Sequence, residues 1–125
     1  MMRVLLVGCG GFLGAVARYG LAGWVHRASS VTAFPLGTMV VNVLGCFAIG
    51  GLGVLAETRV GFTGDLRLFL MIGLLGGFTT FSSFSYETHQ LMRDGQMLWA
   101  GANILMQVAL GLLGAWGGAS LARMI

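Results

Sequence analysis

Between Gly76 and Glu87 the chain gathers groups suited to handling ions. The run is Gly76-Gly77-Phe78-Thr79-Thr80-Phe81-Ser82-Ser83-Phe84-Ser85, with Glu87 just beyond. A glycine pair and five hydroxyls inside an apolar segment are poor helix material, glycine alone costing roughly 1 kcal/mol relative to alanine. They predict a loosened or broken helix near residues 76–80. At membrane depth such backbone persists only where protein buries it or where it lines a polar cavity. Unwinding would free carbonyl oxygens, which in broken membrane helices can hold sodium. A kink that only shapes the helix is the alternative.

Past the break, Phe81 and Phe84 are spaced i, i+3 and share a face, while Thr80, Ser83 and Glu87 fall on an adjacent one. Aromatic edges are electropositive and hydroxyls donate, so a partly dehydrated anion could rest there. Core phenylalanines beside serines bonded back to their own helix would read the same way. Asn42 stands in an otherwise uncharged stretch and must either pair with a neighbouring helix or face a hydrated path. Asn103 and Gln107, i, i+4, extend a polar line that could equally be packing glue. Arg18 could snorkel to the membrane interface or draw anions toward a vestibule. His26 and His89 lie near segment ends. No nucleophile with its base, metalloprotease helix or phosphate loop is present, so catalysis is not expected.

The elements that must position these groups are membrane helices. Hydrophobic residues make up 57% of the 125 and charged residues 9%, and the mean hydropathy is +0.89. A soluble domain of this size could not hide that much apolar surface. The length fits one domain, 1–125. The net charge of +3 rests on arginine alone. The arginines stand singly near segment ends, forming no basic patch with aromatics, so nucleic acid is not a partner. Arg3 ahead of Val4-Leu5-Leu6-Val7 suggests a signal peptide, but the glycines and apolar segments that follow favour a first membrane helix.

Four segments are long enough for a hydrocarbon core that needs about 20 helical residues. They run from Val4 to Val25, Leu36 to Ala56, Leu66 to Met92 (the one holding the break) and Met97 to Ala122. Arg27 to Phe34 and Glu57 to Asp65 connect them, Pro35 suits a first helical turn, and Arg93-Asp94-Gly95 reads as a turn. Of the 22 glycines, Gly10/Gly14, Gly73/Gly77 and Gly114/Gly118 are each spaced by four, as in close-packed membrane helices. Cys9 and Cys46 read as buried small hydrophobes.

With four spans both termini lie on one side, together with Arg3, Arg59, Arg67 and Arg123. Arg27 and Arg93 lie on the other, with Arg18 near it. The arginine bias that normally sets orientation is almost balanced, so the chain could insert both ways. Four helices are few to enclose a pore, and pairing with an oppositely inserted copy would supply the inverted symmetry many transport proteins use. The expected architecture is an all-α membrane protein: four transmembrane helices, the third broken near its middle, in an antiparallel dual-topology homodimer.

The chain also resembles the Fluc-type fluoride channels, the camphor-resistance-B family, over nearly its whole length. The resemblance is carried by Gly10-Gly11-Phe12-Leu13-Gly14-Ala15 with Arg18-Tyr19, by Pro35-Leu36-Gly37-Thr38 with Asn42 and Gly45, and most specifically by residues 76–85 with Glu87. It implies two antiparallel fluoride pores per homodimer in the cell inner membrane, among lipid, and a structural sodium ion at the dimer centre. By motif position the carbonyls of Gly76 and Thr79 hold the sodium. Asn42 is then the pore asparagine, and Phe81 and Phe84 form the phenylalanine box. Thr80, Ser82 and Ser83 are neighbouring hydroxyls, and Glu87 is an acid near the pore. Asn103 and Gln107 lie on a polar track that departs from the family at Gly111, where relatives often carry a hydroxyl.

Two rival readings are a small multidrug transporter and a non-transporting membrane scaffold. The first needs an intramembrane acid in the first span, which is absent. The second predicts that Asn42 and Phe81 tolerate leucine without effect on ion flux.

Overall fold

The computed structural model describes residues 1–29, 34–59 and 61–125; residues 30–33 of the first connection and residue 60 of the second lie outside the described residues. The regular elements among the described residues are all helical, and four helices are long and apolar enough to cross a membrane. Helix α1 is Met2–Ala28 and α2 is Leu36–Thr58. The third span, Gly64–Arg93, comes in two parts. Its first part, α3, starts at Gly64–Arg67, widens into π-turns over Leu68–Leu74 and regains α-geometry over Leu75–Phe78. Its second part, α4, is Phe81–Arg93, and α5 is Met97–Ala122. The spans start and stop within a few residues of the hydropathy pattern, because length and apolarity alone select them. Gly95 makes the tight turn between α4 and α5 with φ +74°.

Both termini sit at one end of the bundle. Arg3 pairs with Asp65 at 3.8 Å, and Arg59 donates to the carbonyl of Ile125. At the other end His26, Phe34, Asp94 and Gln96 surround a common cleft. The helices therefore run alternately up and down.

Two glycine seams hold the bundle. In the first, α1 meets α3. A Cβ at Gly14 would overlap the Leu74 carbonyl, one at Gly77 would overlap the Gly11 carbonyl, and one at Gly73 would lie 3.0 Å from the Gly10 Cα. In the second, α2 meets α5. A Cβ at Gly118 would overlap the Phe47 carbonyl, and one at Gly114 would lie 3.1 Å from that of Val43. Without a hydrophobic drive between helices in lipid, such backbone proximity supplies the dispersion contacts that hold them together. The glycine spacing read from sequence thus lies at the interfaces.

The break expected near residues 76–80 lies within that range and is narrowed by the structure, and one further expectation needs correcting. Gly76 and Gly77 stay helical; the break falls just after them, at Thr79 and Thr80. Gly77 is small so that α3 can touch α1, and tertiary packing outweighs its weak propensity. The cysteines also differ: Cys9 is exposed on α1 and Cys46 is only half-buried.

Candidate functional site

Helix α3 ends at Phe78. Thr79 (φ −82°, ψ 155°) and Thr80 (φ −149°, ψ 112°) are extended, and α4 restarts at Phe81. Extended backbone inside a membrane span leaves peptide groups without helical partners, and each needs another. Asn42, from α2, takes the Thr80 peptide on both sides. Its Oδ1 accepts the Thr80 N–H at 2.8 Å, while its Nδ2 donates to the Thr80 carbonyl at 3.1 Å. The side-chain amide thus pairs with the backbone as a neighbouring strand would. The second Nδ2 hydrogen goes to Gln107 Oε1 at 2.8 Å. Asn42 therefore both bridges helices and lines a cleft, the two alternatives its sequence position left open.

Thr80 is also the N-cap of α4: its Oγ1 accepts the Ser83 N–H at 3.1 Å and donates to Ser83 Oγ at 3.0 Å. Ser82 Oγ lies 3.2 Å from the same oxygen. Capping explains why these hydroxyls sit at the helix start.

The break changes which carbonyls are engaged. In a continuous helix Gly76 would accept from residue 80 and Thr79 from residue 83. The first donor is diverted to Asn42 and the second to the Thr80 hydroxyl. Gly77 would accept from residue 81; it receives instead the Arg18 Nε–H from α1 at 3.2 Å. A hard cation needs oxygen donors that can turn outward. The Gly76 and Thr79 carbonyls, stripped of their helical donors at an exposed glycine, fit that need.

Gly76, Thr79, Thr80, Phe81, Phe84, Asn42 and Gln107 line one cleft of about 380 Å³, with Gly45, Cys46 and Met71. The Phe81 and Phe84 rings lie 5.4 Å apart, tilted by 56°. Phe84 is half-buried, whereas Phe81 is 78% exposed in the single chain.

A second cleft, of about 450 Å³, opens at the end of the bundle away from the termini and is lined by Glu87, His26, Gln90, Asp94 and Gln96 among others. Helices α2, α4 and α5 join the two clefts. On α2 Thr38 lies one turn from Asn42, and its hydroxyl donates to Glu87 Oε1 at 2.6 Å. On α5 Gln107 Nε2 points to Asn103 Oδ1 at 3.4 Å, and the fully buried Asn103 donates to Thr88 Oγ1 at 2.9 Å. Thr88 donates onward to the Phe84 carbonyl at 2.7 Å.

The sequence-derived residues thus divide. Asn42, Thr80, Phe81, Phe84 and Gln107 converge with Gly76 and Thr79 on the first cleft. Glu87 belongs to the second. Asn103, Ser82 and Ser83 line neither, and Arg18 reaches the break from behind. Thr38 and Thr88 went unnoticed as partners. Thr38 could have been found by its i, i+4 spacing from Asn42; Thr88 shows no comparable signal.

A family model described as CrcB-like protein, Camphor Resistance (CrcB), matches residues 5–119. A protein named fluoride-specific ion channel FluC from Geobacter sulfurreducens is 48% identical over 125 residues, covering 100% of both chains. Proteins of the same name from Nitratidesulfovibrio vulgaris and a Roseiflexus species are 48% and 43% identical, covering 91% and 99% of this chain and 94% and 99% of their own.

Proposed function

The chain belongs to the CrcB-like, camphor-resistance family, a family of ion channels and not of enzymes, and on that premise we propose that it is a passive fluoride-selective channel. It is an integral, multi-pass membrane protein, set by this reading in the cell inner membrane. Fluoride enters acidified cells as neutral hydrogen fluoride, dissociates in the more neutral cytoplasm and is trapped as the anion. A pore lets it leave down its electrochemical gradient without fuel.

One observation carries the reading: Asn42 holds the third span open at Thr80 beside the paired rings of Phe81 and Phe84. The opening sets two unlike helix ends against each other. α4 begins there with N–H groups and the positive end of its dipole, which favour an anion; α3 ends there with carbonyls, which favour a cation. From this opening the fluoride path runs along the Phe81 and Phe84 edges and Gln107 toward Glu87, with the Thr80 hydroxyl, the Ser82 and Ser83 hydroxyls beside it and the buried Asn103 supporting its wall. A narrow, partly dehydrating route of this kind suits a small, strongly hydrogen-bonding anion.

The working unit is an antiparallel homodimer with two pores, which covers the exposed cleft with a second copy. The Gly76 and Thr79 carbonyls of both copies would hold a sodium ion, whose charge would tie the two breaks together. Fluoride and chloride efflux from liposomes containing the purified protein is the test. Fluoride release with chloride retained is expected; absence of fluoride release overturns the assignment.

A further inference from the structure

Arg18 is the only one of the seven arginines that stands well inside a spanning helix, ten residues before the end of α1 and thus about 15 Å from it along the axis. A guanidinium at that depth needs a partner or a route to water. The ion pairs among the described residues join Arg3 to Asp65 and Arg93 to Asp94, so no carboxylate serves Arg18. Its Nε donates instead to the Gly77 carbonyl at 3.2 Å, across the glycine seam between α1 and α3.

We propose that Arg18 is a positioning residue for the carbonyl pair of Gly76 and Thr79: by pegging the peptide between them, it sets where α3 stops and which carbonyls turn outward. This inference rests on the cation reading above. At the end of α3 several carbonyls lose their donors together. Left to relax, the last turn could rewind toward residue 81 or tighten into i→i+3 bonds, either of which would draw the Gly76 carbonyl back into the helix. Asn42 blocks rewinding on one side by holding the Thr80 N–H, and Arg18 blocks it on the other by occupying Gly77. Two side chains from two different helices thus fix consecutive parts of one break. The positive charge is not what this role uses, since a cation beside a cation site weakens it; the directed N–H is.

That distinction gives a test, because the bond is made by Nε. Arg18→Gln places an N–H donor the same number of bonds from Cα and removes the charge. Arg18→Met places a methyl there. Arg18→Lys keeps the charge but carries a methylene at that position and its ammonium one bond further out. Each protein is reconstituted in liposomes with sodium replaced by N-methylglucamine, sodium is titrated in, and fluoride efflux is followed; sodium binding itself is read, without flux, from the sodium-dependent rise in unfolding temperature of the same proteins in detergent.

Losing the directed N–H bond should raise the sodium concentration for half-maximal efflux by up to about tenfold in Arg18→Met, with the sodium needed for half the thermal stabilisation rising in parallel. Arg18→Gln should stay within about threefold of the parent, and Arg18→Lys should fall between. Vestibule steering by charge predicts another pattern, with Lys near the parent, Gln as poor as Met, and the half-saturating fluoride concentration shifted in place of sodium; that pattern overturns the proposal. Parent-like sodium dependence in Arg18→Met also overturns it. If Arg18→Met does not fold, the ranking of Gln against Lys decides. A parent protein indifferent to sodium removes the cation reading and this role with it, whereas sodium dependence unchanged across the variants removes this role alone.

Discussion

Asn42 commits both of its N–H donors and an oxygen lone pair within its own chain. Shortening it to serine leaves the Thr80 peptide and Gln107 short of partners, at about 1–3 kcal/mol for each buried group left unpaired. Asn42→Ser is therefore expected to lower both the unfolding temperature in detergent and fluoride efflux. Lost efflux at unchanged stability would assign the amide to anion contact and not to bridging the break. The phenylalanines should behave differently. Phe81 is 78% exposed in the single chain, so its replacement costs the chain little packing. Phe81→Ile or Phe84→Ile should still reduce efflux by about tenfold, the upper range of what an aromatic edge contributes. Parent-like rates in both variants would remove the ring edges from the ion path.

Among the elements, the α1–α3 seam determines how the broken span is held. Gly14 allows the closest approach, with the Leu74 carbonyl and the Phe78 nitrogen lying where a side chain would begin. Gly14→Val should destabilise the protein by about 1–3 kcal/mol or more, because neither backbone can move far without parting the helices. At Gly20 on the same helix a Cβ would meet nothing within 4 Å, so Gly20→Val serves as the control, expected to melt like the parent. Equal melting of the two variants would mean that the seam is not a tight contact in the membrane.

At the scale of the whole molecule, Gly76 is the informative position. A Cβ there would meet nothing of the other helices within 4 Å, although Gly76 lines the first cleft with Thr79 and Phe81. A valine is thus tolerated by the single chain and harmful only if something else covers that face. Gly76→Val should leave the monomer folded, lower the yield of dimer, and do so more than Asn42→Ser does. Crosslinking in membranes measures this, and undiminished dimer in Gly76→Val would place the mating surface elsewhere. The exposed polar face of α4, with Ser82, Ser85 and Tyr86 at membrane depth, also calls for a cover other than lipid.

Hydropathy and length by themselves determined four spans, and hydroxyls beside glycines determined that the third could not remain a single rod, because both are local properties of consecutive residues. They could not locate the break to the residue. Gly76 and Gly77 look like its centre, yet packing against α1 keeps them helical and the chain opens two residues later. That choice belongs to Asn42 and Arg18, 38 and 59 positions away from their partners in sequence. Only the tertiary fold decides which backbone group a distant donor or acceptor reaches, since a hydrogen bond depends on separation in space and no local pattern encodes it.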